Sequence, residues 1–183
     1  MSYDELQRLL VALSTHPNQV AANAIRLQVL TGARIGEVLT AKREDFDLER
    51  AVWTRPSHHT KKKRRKHLLI SAATRDLLTA MKAEASTKSC WLFPGCSPDQ
   101  PYKDLKRFWR AVTTSAGLKD YRIHDNRHTH ASHLVSSGLS LPVVGRLLGH
   151  TNPATTQRYA HLADDPLRQA ADVMGKKISG GVF

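Results

Sequence analysis

Residues 123–138 read IHDNRHTHASHLVSSG. Four histidines (His124, His128, His130 and His133) surround one arginine, Arg127, in a stretch predicted to be helical from Arg127 to Ser136 and stopped by Gly138. Residues 141–148, LPVVGRLL, predict a second helix stopped by Gly149. Leu134, Val143, Val144, Leu147 and Leu148 read as core positions. A short helix is expected from Asn152 to about Ala160. His124 and His128 stand four apart, as zinc-binding helical pairs do. HExxH is absent, however, and no carboxylate occupies a ligand position, so no metal site is expected. His128, His130 and His133 read as packing or hydrogen-bonding residues.

Upstream, Ser2 and Glu5 form a capping box ahead of Leu6, Leu9, Leu10 and Leu13, giving a helix from Ser2 to Ser14. A second helix runs from Gln19 to Leu30, and a short one from Arg34 to about Ala41. Ala51–Arg55 and Lys66–Ser71 read as antiparallel strands, with a third strand not placed. Between them lies a polar, basic connection from Pro56 to Arg65. Helices follow at Ala72–Ala85, Lys103–Ala116 and Pro166–Met174. The expected fold class is α+β, mostly α-helical, with one small antiparallel β-sheet. No repeat or linker divides the chain, so residues 1–183 are expected to form a single domain.

The 183 residues are enough to bury a core, and 40% hydrophobic content is globular rather than disordered. No stretch approaches the ~20 apolar residues that span a bilayer. The N-terminus lacks the basic and apolar regions of a signal peptide, so a cytoplasmic location is expected. Cys90 and Cys96 are too few for a disulfide framework or a zinc ribbon and read as reduced thiols. Lys and Arg total 28 against 16 Asp and Glu, a net charge of +12, with an isoelectric point near 10.1. That excess favours a polyanion, nucleic acid before an anionic membrane surface. No basic amphipathic helix of the membrane-lying kind stands out, so no membrane partner is expected.

Three segments concentrate chemistry: TGARIGEVL (residues 31–39), the histidine-rich stretch above, and LLGHTNPATTQRYAH (residues 147–161). Together, in this order and spacing, they resemble the characteristic boxes of the tyrosine recombinases, the family of phage integrases and chromosome-dimer resolvases. The resemblance covers about Asp4 to Ala171 and implies the catalytic fold of these DNA breaking-rejoining enzymes. It also implies site-specific recombination through a 3′-phosphotyrosyl intermediate, with integration or excision as the typical outcome. Arg34, in TGxRxxE, is similar to the family's first phosphate-binding arginine. His124 and Arg127 fall on HxxR, His150 on LGH, and Tyr159, nine residues later, on the nucleophile. The resemblance also implies a hairpin lysine, eight residues before a proline. Leu69 stands at that proline's place and gives Lys61, with Lys62, Lys63 and Lys66 left open. Lys62, Lys63, Arg64, Arg65 and Lys66 are expected to contact DNA, unless the run is only a solvated charge cluster.

The chemistry fits these residue types. Tyrosine can form a covalent intermediate, so the bond energy is kept and no cofactor is needed. The planar, permanently charged fork of arginine holds two phosphoryl oxygens. Lysine can protonate the leaving 5′ oxygen. His124 can relay the tyrosine proton, and His150 can hydrogen-bond the phosphate. Glu37 reads as support for Arg34. Bland alternatives exist: Arg34 as a helix-surface arginine, or Tyr159 as a buried aromatic. Tyr3, Tyr102 and Tyr121 lack comparable neighbours. Asn126 departs from the leucine common in this family.

The implied partners are double-stranded DNA, three further copies in a tetramer, and accessory DNA-bending proteins. Residues 164–183 are expected to dock on a neighbouring protomer. The family's N-terminal core-binding and arm-binding domains are expected to be absent from this chain. A prokaryotic cell and a phage or mobile-element origin are implied. Type IB topoisomerase activity, a non-catalytic DNA-binding relative and a metal-dependent nuclease are the rival readings.

Overall fold

The computed structural model describes residues 1–55, 66–83, 89–150 and 152–162. By packing, the chain divides into two compact units, residues 1–127 and 128–183. The expected helix at Pro166–Met174 and the basic run from Lys61 to Arg65 lie outside the described residues.

The first unit opens with α1 (Tyr3–Thr15). The Ser2 hydroxyl accepts the Glu5 N–H at 3.2 Å, and the Glu5 carboxylate accepts the Ser2 N–H at 2.7 Å. The capping box therefore satisfies two donors that a helix start leaves unpaired. Helix α2 (Gln19–Thr31) is capped by the Asn18 side chain, which accepts the Ala21 N–H at 3.0 Å. It ends at Gly32, whose φ of 61° is costly for any residue with a Cβ. Helix α3 (Ile35–Leu39) follows at once and is shorter than the sequence suggested. Leu9, Leu13, Ile25, Leu27 and Val38 are fully buried and form much of this unit's interior.

The sheet has three antiparallel strands in the order β1 (Phe46–Asp47), β2 (Val52–Arg55) and β3 (Lys66–Leu69). The unplaced third strand is thus the two-residue β1, too short to leave a period-2 signal. Trp53 pairs with Phe46 on one side and Leu68 on the other, and Arg55 pairs with Lys66. Alternation buries Trp53 and Arg55 on one face of β2. Phe46 stacks on Trp53 with ring centroids 5.0 Å apart. The residue pair Arg55 and Lys66 brackets the connection that contains Lys61.

Helices α4 (Ala72–Ala83) and α5 (Lys106–Ser115) complete the regular structure of this unit before α6 (Asp125–Ser136). α5 opens three residues later than expected, where the Asp104 carboxylate accepts the Lys106 N–H at 2.7 Å. α6 opens two residues earlier than expected, at Asp125, whose carboxylate accepts the Arg122 N–H at 2.8 Å. Cys90 and Cys96 are exposed free thiols. Among the described residues no helix is long and apolar enough to cross a membrane.

The second unit contains the rest of α6, α7 (Leu141–Leu148), α8 (Ala154–Gln157) and a 3₁₀ turn (Ala160–Leu162). Its core is Ala131, Val135, Val144, Leu148 and Tyr159, with Leu134, Leu139, Leu141 and Leu162 packed around it. Val143, expected in the core, is instead 46% exposed, because the adjacent Val144 takes the inward face of α7. α7 stops at Gly149, with φ 70°. A Cβ on Gly145 would come within 2.8 Å of the Thr156 hydroxyl, so α8 sits against bare backbone.

Replacing Gly145 by alanine should therefore not stabilise the protein. The helix-propensity gain of about 1 kcal/mol meets an overpacking cost of about 1–3 kcal/mol, and Thr156 is buried and cannot swing freely. Urea unfolding of Gly145→Ala should show unchanged or lower stability. A clear gain would mean that Thr156 gives way.

Candidate active site

Among the described residues predicted for the site, Arg127 is the most buried. Its side chain is 3% exposed, and its Nη1 donates to the Gly32 carbonyl at 2.6 Å. A buried guanidinium must spend its donors on protein acceptors. The left-handed turn at Gly32 bares such a carbonyl at the end of α2, two residues before Arg34. A second lock lies beside it. Gln28, fully buried in α2, donates to the Ile123 carbonyl at 3.1 Å and accepts from the Asn126 amide at 3.0 Å. Asn126, a departure from the family pattern, is therefore one half of a buried polar pair with Gln28. His124, just before α6, is exposed at the surface. Its carbonyl accepts the Arg127 N–H at 3.1 Å.

Arg34 stands at the start of α3 with its side chain 52% exposed. Glu37 holds it by two bonds: Oε2 accepts the Arg34 backbone N–H at 3.1 Å, and Oε1 accepts Nη1 at 3.2 Å. Glu37 Oε2 also accepts Nη1 of Arg55 at 2.6 Å. The Arg55 side chain is 6% exposed, and its guanidinium lies 5.3 Å from the centre of the Trp53 ring. One carboxylate thus ties α3 to β2. Burial alone would push the Glu37 carboxyl up, but the Arg55 charge and the Arg34 N–H and charge outweigh it and hold it below its ordinary value. Burial draws Arg55 down, with Glu37 opposing, and a guanidinium stays charged regardless. Sequence reasoning assigned Glu37 a supporting role and missed Arg55. The inward alternation of Trp53 and Arg55 along β2 was the available signal.

In the second unit the Nδ1 of His150, just past Gly149, shares a hydrogen bond of 2.8 Å with the Thr156 hydroxyl. Thr156 is 3% exposed, and its carbonyl accepts the Tyr159 N–H at 3.1 Å. Tyr159 is 6% exposed, its ring in the core of this unit. Its hydroxyl lies 2.6 Å from Nδ1 of His128. So Tyr159 is both a buried aromatic and a candidate nucleophile, readings that sequence reasoning had set against each other. Lys61, Lys62, Lys63, Arg64 and Arg65 lie outside the described residues, and of Lys66 only the backbone in β3 is described. Among the described residues no three His, Cys, Asp or Glu side chains converge as metal ligands.

Two substitutions test these supports. Gln28→Leu strands the buried Asn126 amide and the Ile123 carbonyl, at about 1–3 kcal/mol each. It should destabilise clearly in urea, and adding Asn126→Leu should recover part of the loss. Glu37→Gln uncouples Arg55 from its counter-charge, which costs about 2–3 kcal/mol, less than a fully buried pair because Glu37 keeps some solvent contact. Because the folded carboxyl titrates below its ordinary value of 4.5, its stabilisation is present above that pH and fades as pH falls through the folded value. Wild-type stability should therefore drop below about pH 5 more steeply than that of Glu37→Gln. Parallel pH profiles would show that Glu37 is not the group responsible.

The sequence profile of the phage integrase family matches residues 1–165. The integrase of Salmonella phage P22 is 26% identical over 173 residues, covering 85% of this chain and 44% of the relative. The tyrosine recombinase XerD of Rhizobium meliloti is 39% identical over 88 residues, covering 46% of this chain and 28% of the relative. The chain thus spans less than half the length of these curated relatives. Among solved structures, the XerA recombinase superposes with a TM-score of 0.73 at 27% identity, covering 95% of this chain and 64% of that one. The catalytic domain of bacteriophage HP1 integrase gives a TM-score of 0.72 at 25% identity, covering 94% and 92% of the two chains. The three sequence boxes, the helical fold with its small antiparallel sheet and these matches agree, and the chain belongs to the phage integrase family.

Proposed function

We propose that this chain is the catalytic domain of a site-specific DNA recombinase that cuts and rejoins strands through Tyr159. The observation that carries the reading is the anchoring of Arg127 on the Gly32 carbonyl, two residues from Arg34. It ties two guanidinium-bearing segments, distant in sequence, to one turn. Permanently charged forks of this kind are what a phosphodiester transition state requires. The net charge of +12 supports double-stranded DNA as the substrate.

In this reading Arg34 and Arg127 hold the non-bridging oxygens and His150 hydrogen-bonds the phosphate. The Tyr159 oxygen attacks phosphorus and the bond to the 5′ oxygen breaks. That oxygen takes a proton from a hairpin lysine, Lys61 first among the candidates, and His124 relays the tyrosine proton. The remaining cations of the run, Lys62 to Lys66, contact phosphates. Rejoining reverses these steps on a partner strand. No metal or cofactor takes part. The two compact units act as one catalytic domain. Four copies assemble on two sites, with residues 164–183 docking on a neighbour and DNA-bending proteins assisting. The reaction is of the integration or excision type, in a prokaryotic nucleoid.

The test is covalent capture. A pool of duplexes, each nicked just beyond a randomised core, lets the short 5′-hydroxyl fragment diffuse away and traps the intermediate. Wild-type protein should yield DNA linkage that survives SDS, Tyr159→Phe should yield none, and EDTA should change nothing. DNA cleavage without linkage, lost in EDTA, would favour a metal-dependent nuclease. Linkage retained in Tyr159→Phe would move the nucleophile elsewhere. Relaxation of supercoiled plasmid without exchange between sites would favour topoisomerase activity.

A further inference from the structure

Tyr159 is held in two different ways at its two ends. The ring is packed among Ala131, Val135, Val144 and Leu148. That packing fixes the ring but makes no demand on the hydroxyl. A tyrosine whose body is buried needs a polar partner for its tip, and His128 is one, with Nδ1 at 2.6 Å and the two ring centroids 6.1 Å apart. The polar partner and half of the apolar neighbours of the ring come from one helix, α6. His128, Ala131 and Val135 stand at i, i+3 and i+7 of α6, so the face that packs against the ring also presents the imidazole. The spacing places the nitrogen beside the oxygen that would attack phosphorus.

From this geometry we propose that His128 is a positioning residue for strand cleavage: its imidazole holds the Tyr159 hydroxyl in the orientation from which it attacks. The inference rests on the reading of Tyr159 as nucleophile. The mechanism above otherwise assigns His128 no role. Its chemistry suits the task in either tautomer, because a ring nitrogen can accept from the hydroxyl or donate to its oxygen. A nucleophile oxygen left to rotate or to drift by about 1 Å forfeits rate on the order of 10²-fold. That loss falls on the chemical step and leaves DNA affinity alone.

The experiment has two arms on the full chain. His128→Phe removes the nitrogen and keeps a ring. His128→Asn keeps a hydrogen-bonding group at the position of Nδ1. In the first arm, protein carrying ¹³C at the tyrosine ζ carbon is examined without DNA. The chain has 4 tyrosines, so Tyr159→Phe assigns the signal. The Tyr159 resonance should shift in His128→Phe and return towards its wild-type position in His128→Asn. In the second arm, single-turnover covalent capture is measured on the nicked duplex pool. His128→Phe should capture DNA about 10²-fold more slowly, at unchanged affinity by filter binding and with a cooperative thermal transition. His128→Asn should recover to within about tenfold of wild type.

Wild-type rates in His128→Phe would overturn the proposal. So would an unmoved Tyr159 resonance, or an asparagine variant that binds DNA and melts normally yet stays as slow as the phenylalanine variant. If the wild-type protein captures no DNA at all, the nucleophile reading itself fails, and the spectroscopic arm then reports a purely structural bond. If His128→Phe does not fold, His128→Asn decides alone: a Tyr159 resonance at the wild-type position with about 10²-fold slower capture overturns the proposal, and so does a displaced resonance with wild-type capture.

Discussion

The structure of the first unit depends on one buried charge. Arg127 cannot be left unpaired in an interior where an uncompensated guanidinium would cost several kcal/mol. One acceptor is the Gly32 carbonyl, bared where α2 ends in a left-handed turn. Gly32 is thus a helix stop and an anchor at the same time. The same turn delivers Arg34 to the start of α3, and the anchor brings the start of α6 to it. The Gln28–Asn126 pair and the Gln28 bond to the Ile123 carbonyl reinforce that docking with neutral bonds.

Around Arg34 the logic is electrostatic. Glu37 is shared between one half-exposed arginine and one buried one. The buried partner, Arg55, lies over the Trp53 ring and holds the carboxylate in place from behind. The exposed partner keeps donors towards solvent, where an anion could approach. A single carboxylate between two guanidiniums leaves a net positive site, which suits phosphate. The same arrangement ties the end of β2, and so the start of the basic connection, to the helix that carries Arg34.

The second unit treats its tyrosine as a core residue. Helix α6 supplies both apolar contacts to the ring and a nitrogen to the hydroxyl, while α7 and α8 meet at Gly145 and Thr156. Thr156 in turn bonds His150 through its side chain and Tyr159 through its backbone. Rigidity here has a chemical use in the proposed reaction, because a preset nucleophile loses less freedom on the way to the transition state.

Much of this was legible from residues alone. Capping at Ser2, the stops at Gly32 and Gly149 and the limits of α7 follow from local backbone preferences, which act within a few residues. The three boxes named the candidate site residues because chemistry restricts which side chains can serve. What stayed hidden was partnership across the chain. Arg55 was legible only as the end of a strand, Gln28 only as a position within the second helix, Asn126 only as a departure, and His128 only as one histidine among four. The two-residue β1 was too short to show a period. Each of these acquires its meaning from a residue distant in sequence, since burial, not local preference, decides which polar group must find which partner. The sequence alone determined most of the described helices, two of the three strands and the kinds of chemistry on offer. Only the tertiary structure decided that Arg127 rests on Gly32, that Glu37 serves two arginines and that the Tyr159 hydroxyl meets His128, because desolvation makes pairing obligatory only once the chain has closed around these groups.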